Sequence, residues 1–111
     1  MISTVQVRVD QDLDLASVGE IGAVLDTAMG LHPARLVVDL AGCPFIDASG
    51  VSLLLAAHRR ARQCDGRLVL RSASPLVRRV LHLARVYDVL TVETPARTED
   101  DARPEKQAQE R

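Results

Sequence analysis

Aromatic side chains are almost missing from this sequence. Phe45 and Tyr87 are the only two in 111 residues, and tryptophan is absent. Proteins that hold single-stranded nucleic acid stack bases on aromatic rings, so this chain lacks the platform. An excess of one charge is lacking too: 14 Lys and Arg stand against 15 Asp and Glu, for a net charge of −1. No overall field draws the chain to DNA or to an anionic membrane surface. Cysteine is limited to Cys43 and Cys64, and no Cys-x-x-Cys or Cys/His spacing supports a zinc site. Two cysteines behind an N-terminus without a secretory pattern read as reduced thiols in a cytoplasmic protein. No apolar run approaches the roughly 20 residues of a membrane-spanning helix. The expected partners therefore include neither nucleic acid nor membrane, and neither cofactor nor metal is expected.

Catalytic patterns are missing as well. There is no Walker A run and no Gly-x-Gly-x-x-Gly, so nucleotide binding has no support. Around Ser49 the chain reads Asp-Ala-Ser-Gly-Val, without the glycines of a hydrolase nucleophile elbow. His58 follows on the same helix more than two turns later, out of reach of that hydroxyl. The carboxylates at Asp12 and Asp14, and at Glu99, Asp100 and Asp101, fall in a turn and a tail rather than on rigid walls. The pattern points to a binding module, not an enzyme.

What is present is aliphatic: 47% of residues are hydrophobic, and the core must be built from Leu, Val, Ile and Ala. The chain is organised around residues 36–55, LVVDLAGCPFIDASGVSLLL. A β-branched apolar run predicts a buried strand, Gly42 and Pro44 break it, and a Leu-rich helix begins near Val51. Ser49 then stands at the expected N-cap, where a hydroxyl accepts from an unpaired N–H of the first turn. The same position has a second use. A helix N-terminus tolerates a phosphoryl group, which would present about −1.5 to −2 of charge to anything docked over it.

The remaining elements follow in order. Val5, Val7 and Val9 alternate with polar residues as a half-exposed strand, and Leu13 to Leu15 forms a second short strand or strand end. Residues 16–29 form a helix with Val18, Ile21, Val24, Leu25 and Ala28 on one face. Ser17 and Glu20 make a capping-box pattern at its start, and Gly30 a stop at its end. Arg67 to Leu70 is a buried strand. Ser74 caps a third helix with Pro75 at its first position and a stripe of Leu76, Val77, Val80, Leu81 and Ala84. Residues 88–92 give a last strand. From Thr94 the composition turns charged and Pro-containing, as in a disordered tail. The alternation implies an α/β domain with parallel pairings and an antiparallel edge from the first strand pair.

From Val5 to Glu93 the chain resembles a STAS domain of the bacterial anti-sigma-factor antagonist type. The resemblance is carried by residues 36–90, LVVDLAGCPFIDASGVSLLLAAHRRARQCDGRLVLRSASPLVRRVLHLARVYDVL. The family pattern Asp-Ser-Ser-Gly stands here as Asp47-Ala48-Ser49-Gly50, with Ala replacing the first Ser. The resemblance implies a STAS fold over residues 1–93, with a mixed, mostly parallel sheet of about four to five strands and helices packed on it, followed by a tail over 94–111. It implies phosphorylation of Ser49 and a partner interface at Asp14, Asp47, Ala48, Ser49, Gly50 and Ser52. The implied partners are an anti-sigma factor that is also a serine kinase of GHKL type, and a phosphatase, acting on a monomer or weak dimer. The alternative is a non-switching scaffold or sensor-complex subunit in which Ser49 is only a helix cap.

Overall fold

Strands and helices alternate along the chain, as the apolar periodicity requires. The computed structural model describes residues 3–93. Within them β1 (Thr4–Arg8), α1 (Val18–Met29), β2 (Arg35–Asp39), α2 (Ala48–Gln63), β3 (Arg67–Arg71), α3 (Pro75–Leu83) and β4 (Thr91–Val92) follow one another. The tail expected over 94–111 lies outside the described residues. Every strand pairing is parallel, and the spatial order β1-β2-β3-β4 is also the chain order. A sheet that grows in one direction through right-handed crossovers keeps its helices on one face.

Burial agrees with that geometry. Val5, Val7, Leu36, Val38, Leu68, Leu70 and Val92 share one register face and pack into one cluster with Ile21 and Leu25 of α1, Leu54 of α2, and Val77 and Leu81 of α3. The antiparallel edge is absent among the described residues. Val9 N–H continues β1 by donating to Asp39 O, whereas Leu13 N–H donates to Phe45 O. Leu13 therefore spends its hydrogen bonds on the loop after β2, in a single parallel bridge to Ile46, and not on β1.

The helix boundaries show how context redirected local signals. Ser74 caps α3 as its sequence predicts, accepting from Val77 N–H at 3.1 Å behind Pro75. Ser17 does not cap α1. Its hydroxyl donates to Asp12 O at 2.7 Å and accepts from Asp14 N–H, while Glu20 accepts from Gln11. The preceding turn has captured the groups that a capping box would use. Gly30 keeps helical dihedrals, and the left-handed residue after α1 is His32. Asp65 and Arg85 take the same conformation after α2 and α3. Val24 and Leu76, expected on buried stripes, are half exposed, and Ala84 is exposed. One-sided packing on the sheet buries a narrower arc than the apolar pattern offers.

The other sheet face carries Gln6, Arg35, Asp39 and Arg71, with Val37 and Val69 buried between them. Glu93, just past β4, accepts from Arg71 Nε and from Arg35 Nη2, both at 2.9 Å. Arg71 Nη1 also donates to Gln6 Oε1, and Gln6 Nε2 to Asp39 Oδ2. The hydrogen bond from Arg71 holds the Glu93 carboxyl below its ordinary value; burial opposes this, and the charges of Arg71 and Arg35 add to it. A carboxyl lowered by folding stabilises the protein above its unfolded value, near 4.3, and loses that contribution as pH falls through the folded one. Glu93→Gln is therefore expected to cost about 0.5 to 1 kcal/mol at pH 7, a cost that in urea titrations shrinks as the pH falls below the ordinary carboxylate range.

Candidate functional site

The loops at the C-terminal ends of the strands build one surface. The chain leaving β2 is turned by Asp39, whose Oδ1 accepts from Ala41 N–H at 2.9 Å, and Cys43 N–H donates to Leu40 O. Cys43 is buried, its thiol donates to Phe45 O, and burial pushes its titration up, with Asp12 and Asp14 adding to the shift. Such a thiol stays protonated and unreactive. Ile46 returns to the core and Phe45 points outward, 42% exposed.

Asp47 then starts α2. Its Oδ1 accepts from Gly50 N–H at 3.0 Å, so Asp47 and not Ser49 is the N-cap. The expectation for Ser49 failed because two good caps stand two residues apart and Ala48 between them is a strong helix former. The clue in the sequence was Asp47 three residues before Gly50, the spacing at which a cap side chain meets the third helical N–H. Asp47 has a second duty: its Oδ2 accepts from Leu15 N–H at 3.1 Å, and its own N–H donates to Leu13 O. One carboxylate thus ties the loop before α1 to the start of α2.

Gly50 is required by that approach. A Cβ there would stand 2.3 Å from Leu13 O and 2.7 Å from Ile46 Cγ1. With the cap moved to Asp47, Ser49 falls in the first turn of α2 and is half buried. Its hydroxyl makes no hydrogen bond with a described residue, and the Ala48 and Ser49 N–H groups are likewise unpaired among the described residues. Ser52 is exposed one turn on. Asp14 lies between Leu13 and Leu15, both tied to this turn, but its own carboxylate accepts from Ser17 N–H at 3.1 Å. The structure therefore gathers Asp47, Ala48, Ser49 and Gly50 on the first turn of α2, with Ser52 on the next, and brings Asp14 to their border. It adds a residue that nothing in the local sequence marked: Leu15, 75% exposed, beside the Asp47 tether.

A family model described as "Mlab, STAS domain" matches residues 2–92. The chain belongs to the STAS domain family. A curated relative, the anti-sigma F factor antagonist of Lysinibacillus sphaericus, is 32% identical over 82 residues, which are 73% of this chain and 70% of that protein. Among solved structures, the anti-sigma factor antagonist SpoIIAA in its unphosphorylated form superposes with a TM-score of 0.70 at 28% identity, over 90% of this chain and 88% of its own. The Bacillus cell fate determinant SpoIIAA in its phosphorylated form gives 0.63 at 27% identity, over 90% and 91%. An anti-sigma factor antagonist from Mycobacterium paratuberculosis gives 0.75 at 19% identity, over 88% and 81%, a likeness of fold alone. No helix of this STAS domain is long and apolar enough to cross a membrane among the described residues.

The twofold role of Asp47 in the STAS domain can be separated by experiment. Asn caps helices as well as Asp, but its amide nitrogen cannot accept the second bond from Leu15. Asp47→Asn is expected to lower stability by about 1 to 2 kcal/mol in urea melts and to speed hydrogen exchange at Leu15 while Gly50 stays protected.

Proposed function

We propose that this protein is an anti-sigma factor antagonist whose binding surface is switched by a phosphoryl group on Ser49. The observation that carries the reading is the state of Ser49: half buried in the first turn of α2, its hydroxyl uncommitted, with two unpaired N–H groups beside it. The curated relative and the two SpoIIAA structures, one of them phosphorylated, support it.

Unmodified, the surface around Asp14, Asp47, Ala48, Ser49, Gly50 and Ser52 docks on an anti-sigma factor that is also a serine kinase of GHKL type. The exposed Leu15 and Phe45 supply apolar contact at its edge. The sequestered anti-sigma factor then releases its sigma factor for transcription. The partner transfers the γ-phosphoryl group of ATP to Ser49 Oγ, leaving ADP and a proton. The new dianion sits at the positive end of α2 and is locally tolerated, but it adds charge next to Asp47 in a surface that must be desolvated for docking. The complex dissociates, and a phosphatase hydrolyses the phosphoserine to restore the binding form. The protein acts as a cytoplasmic binding module without a catalytic centre of its own.

Incubation with the cognate kinase and ATP, followed by peptide mass spectrometry, is expected to place the label on Ser49; label on Ser72 or Ser74 alone, or none, overturns the reading. Ser49→Asp is expected to weaken partner binding more than a hundredfold, about 3 kcal/mol, while Ser49→Ala stays bound through added ATP. Because Asp47 is the cap, Ser49→Ala should shift stability by less than about 0.5 kcal/mol. Unchanged binding for Ser49→Asp would favour the non-switching scaffold.

A further inference from the structure

The segments that build the Ser49 surface carry carboxylates and almost no opposing charge. From Val9 to His58 the sequence holds one arginine and no lysine. That residue, Arg35, opens β2 at the end of the sheet opposite these loops. Asp12 and Asp14 lie in the loop before α1, Glu20 on its first turn and Asp47 at the cap of α2. None of the four forms an ion pair among the described residues. The net charge of −1 conceals this, because only two of the 14 Lys and Arg residues precede Arg59.

Two apolar side chains stand beside those carboxylates. Leu13 and Ile46 form a parallel bridge, Leu13 N–H donates to Phe45 O, and Leu15 N–H donates to Asp47 Oδ2. Residues 12–15 and 45–48 therefore run side by side. The charges of Asp12 and Asp14 reach the Cys43 thiol, two residues from Phe45. Leu15 is the most exposed large apolar side chain among the described residues, at 75%, and Phe45 is exposed next to it.

A single exposed leucine needs no explanation. This one has a second apolar side chain as neighbour, and its backbone is held by the Asp47 tether instead of riding on a free loop. An apolar centre with a charged rim is the make-up of a specific interface, and a side chain whose backbone is already fixed loses little freedom on docking. The rim decides what can cover the centre. A second copy of this chain turned to the same face would set carboxylates against carboxylates, which like charge opposes. A partner with basic side chains is drawn to it.

We propose that the partner docked over Ser49 offers an apolar socket for Leu15 and Phe45, rimmed by arginine or lysine side chains that face Asp12, Asp14, Glu20 and Asp47. The inference rests on the reading of Ser49 given above and names the chemistry of that partner. Leu15 and Phe45 supply the binding energy at the centre, and the carboxylates speed encounter and reject acidic proteins. The basic rim does not retain the modified form. In-line transfer leaves the phosphates of the nucleotide facing Ser49, so the new dianion meets like charge at the middle of the interface.

The test uses the full 111-residue chain and the kinase that labels Ser49, with association and dissociation rates measured in ADP so that no transfer occurs. Leu15→Ser and Phe45→Ser are each expected to weaken binding tenfold or more through faster dissociation. Leu15→Ser should leave the unfolding midpoint of the free chain unchanged, since the side chain is exposed. Association should slow as sodium chloride rises, and Asp12→Lys should slow it severalfold at low salt, with the two chains converging at high salt. If Leu15→Ser binds as tightly as the parent, or if association ignores both salt and Asp12→Lys, the socket and its basic rim are overturned while the Ser49 switch stands. If the parent chain neither binds the kinase nor is labelled at Ser49, both readings are overturned.

Discussion

Much of this structure depends on one carboxylate that holds two segments at once. Asp47 caps α2 through Gly50 and tethers the loop before α1 through Leu15. The bonds between Leu13 and residues 45–47, and the close pass of Leu13 over Gly50, close the same joint. Nothing in the sheet itself joins these two loops, because parallel strands end side by side and leave their loops to find their own contacts. The joint makes a rigid first turn out of a helix start, and a rigid turn presents Ser49 in one orientation. A binding surface organised in advance loses little conformational freedom when a partner docks, so a single added charge can decide the outcome.

The one-directional strand order has a second consequence. With all helices on one face, the aliphatic core forms there, and the opposite face must protect Val37 and Val69 with long polar side chains. The chain of hydrogen bonds through Asp39, Gln6, Arg71, Glu93 and Arg35 does this. These partly exposed ion pairs contribute little stability each. Their geometric effect is larger, since Glu93 fastens the short β4 to β2 and β3 and so completes the sheet.

Helix α2 links the two chemical ends of the molecule. Its N-terminus offers N–H groups and a hydroxyl unpaired among the described residues; its last turns carry Arg60 and Arg62, which complement the helix dipole. The first end is the one proposed to carry a covalently attached phosphoryl group, which the positive end of the helix tolerates. The intervening turns are buried through Val51, Leu54, Ala57 and Ala61, so the helix is fixed against the sheet along its length.

Residue patterns alone determined the alternation of elements, the aliphatic core, the Ser74 cap and the presence of a serine near the start of α2. Each follows from short-range periodicity or a local preference that packing reinforced, as with Leu36, Val38, Leu68 and Leu70. Tertiary structure decided which of two caps, two residues apart, starts α2, where Leu13 spends its hydrogen bonds, why Ser17 turns away from α1, and that Leu15 is exposed while His58 Nδ1 is sealed without a partner among the described residues. Those outcomes are contests between groups far apart in the chain for the same donor, acceptor or space. A linear pattern shows the contestants, and only the folded backbone brings them close enough for one to win.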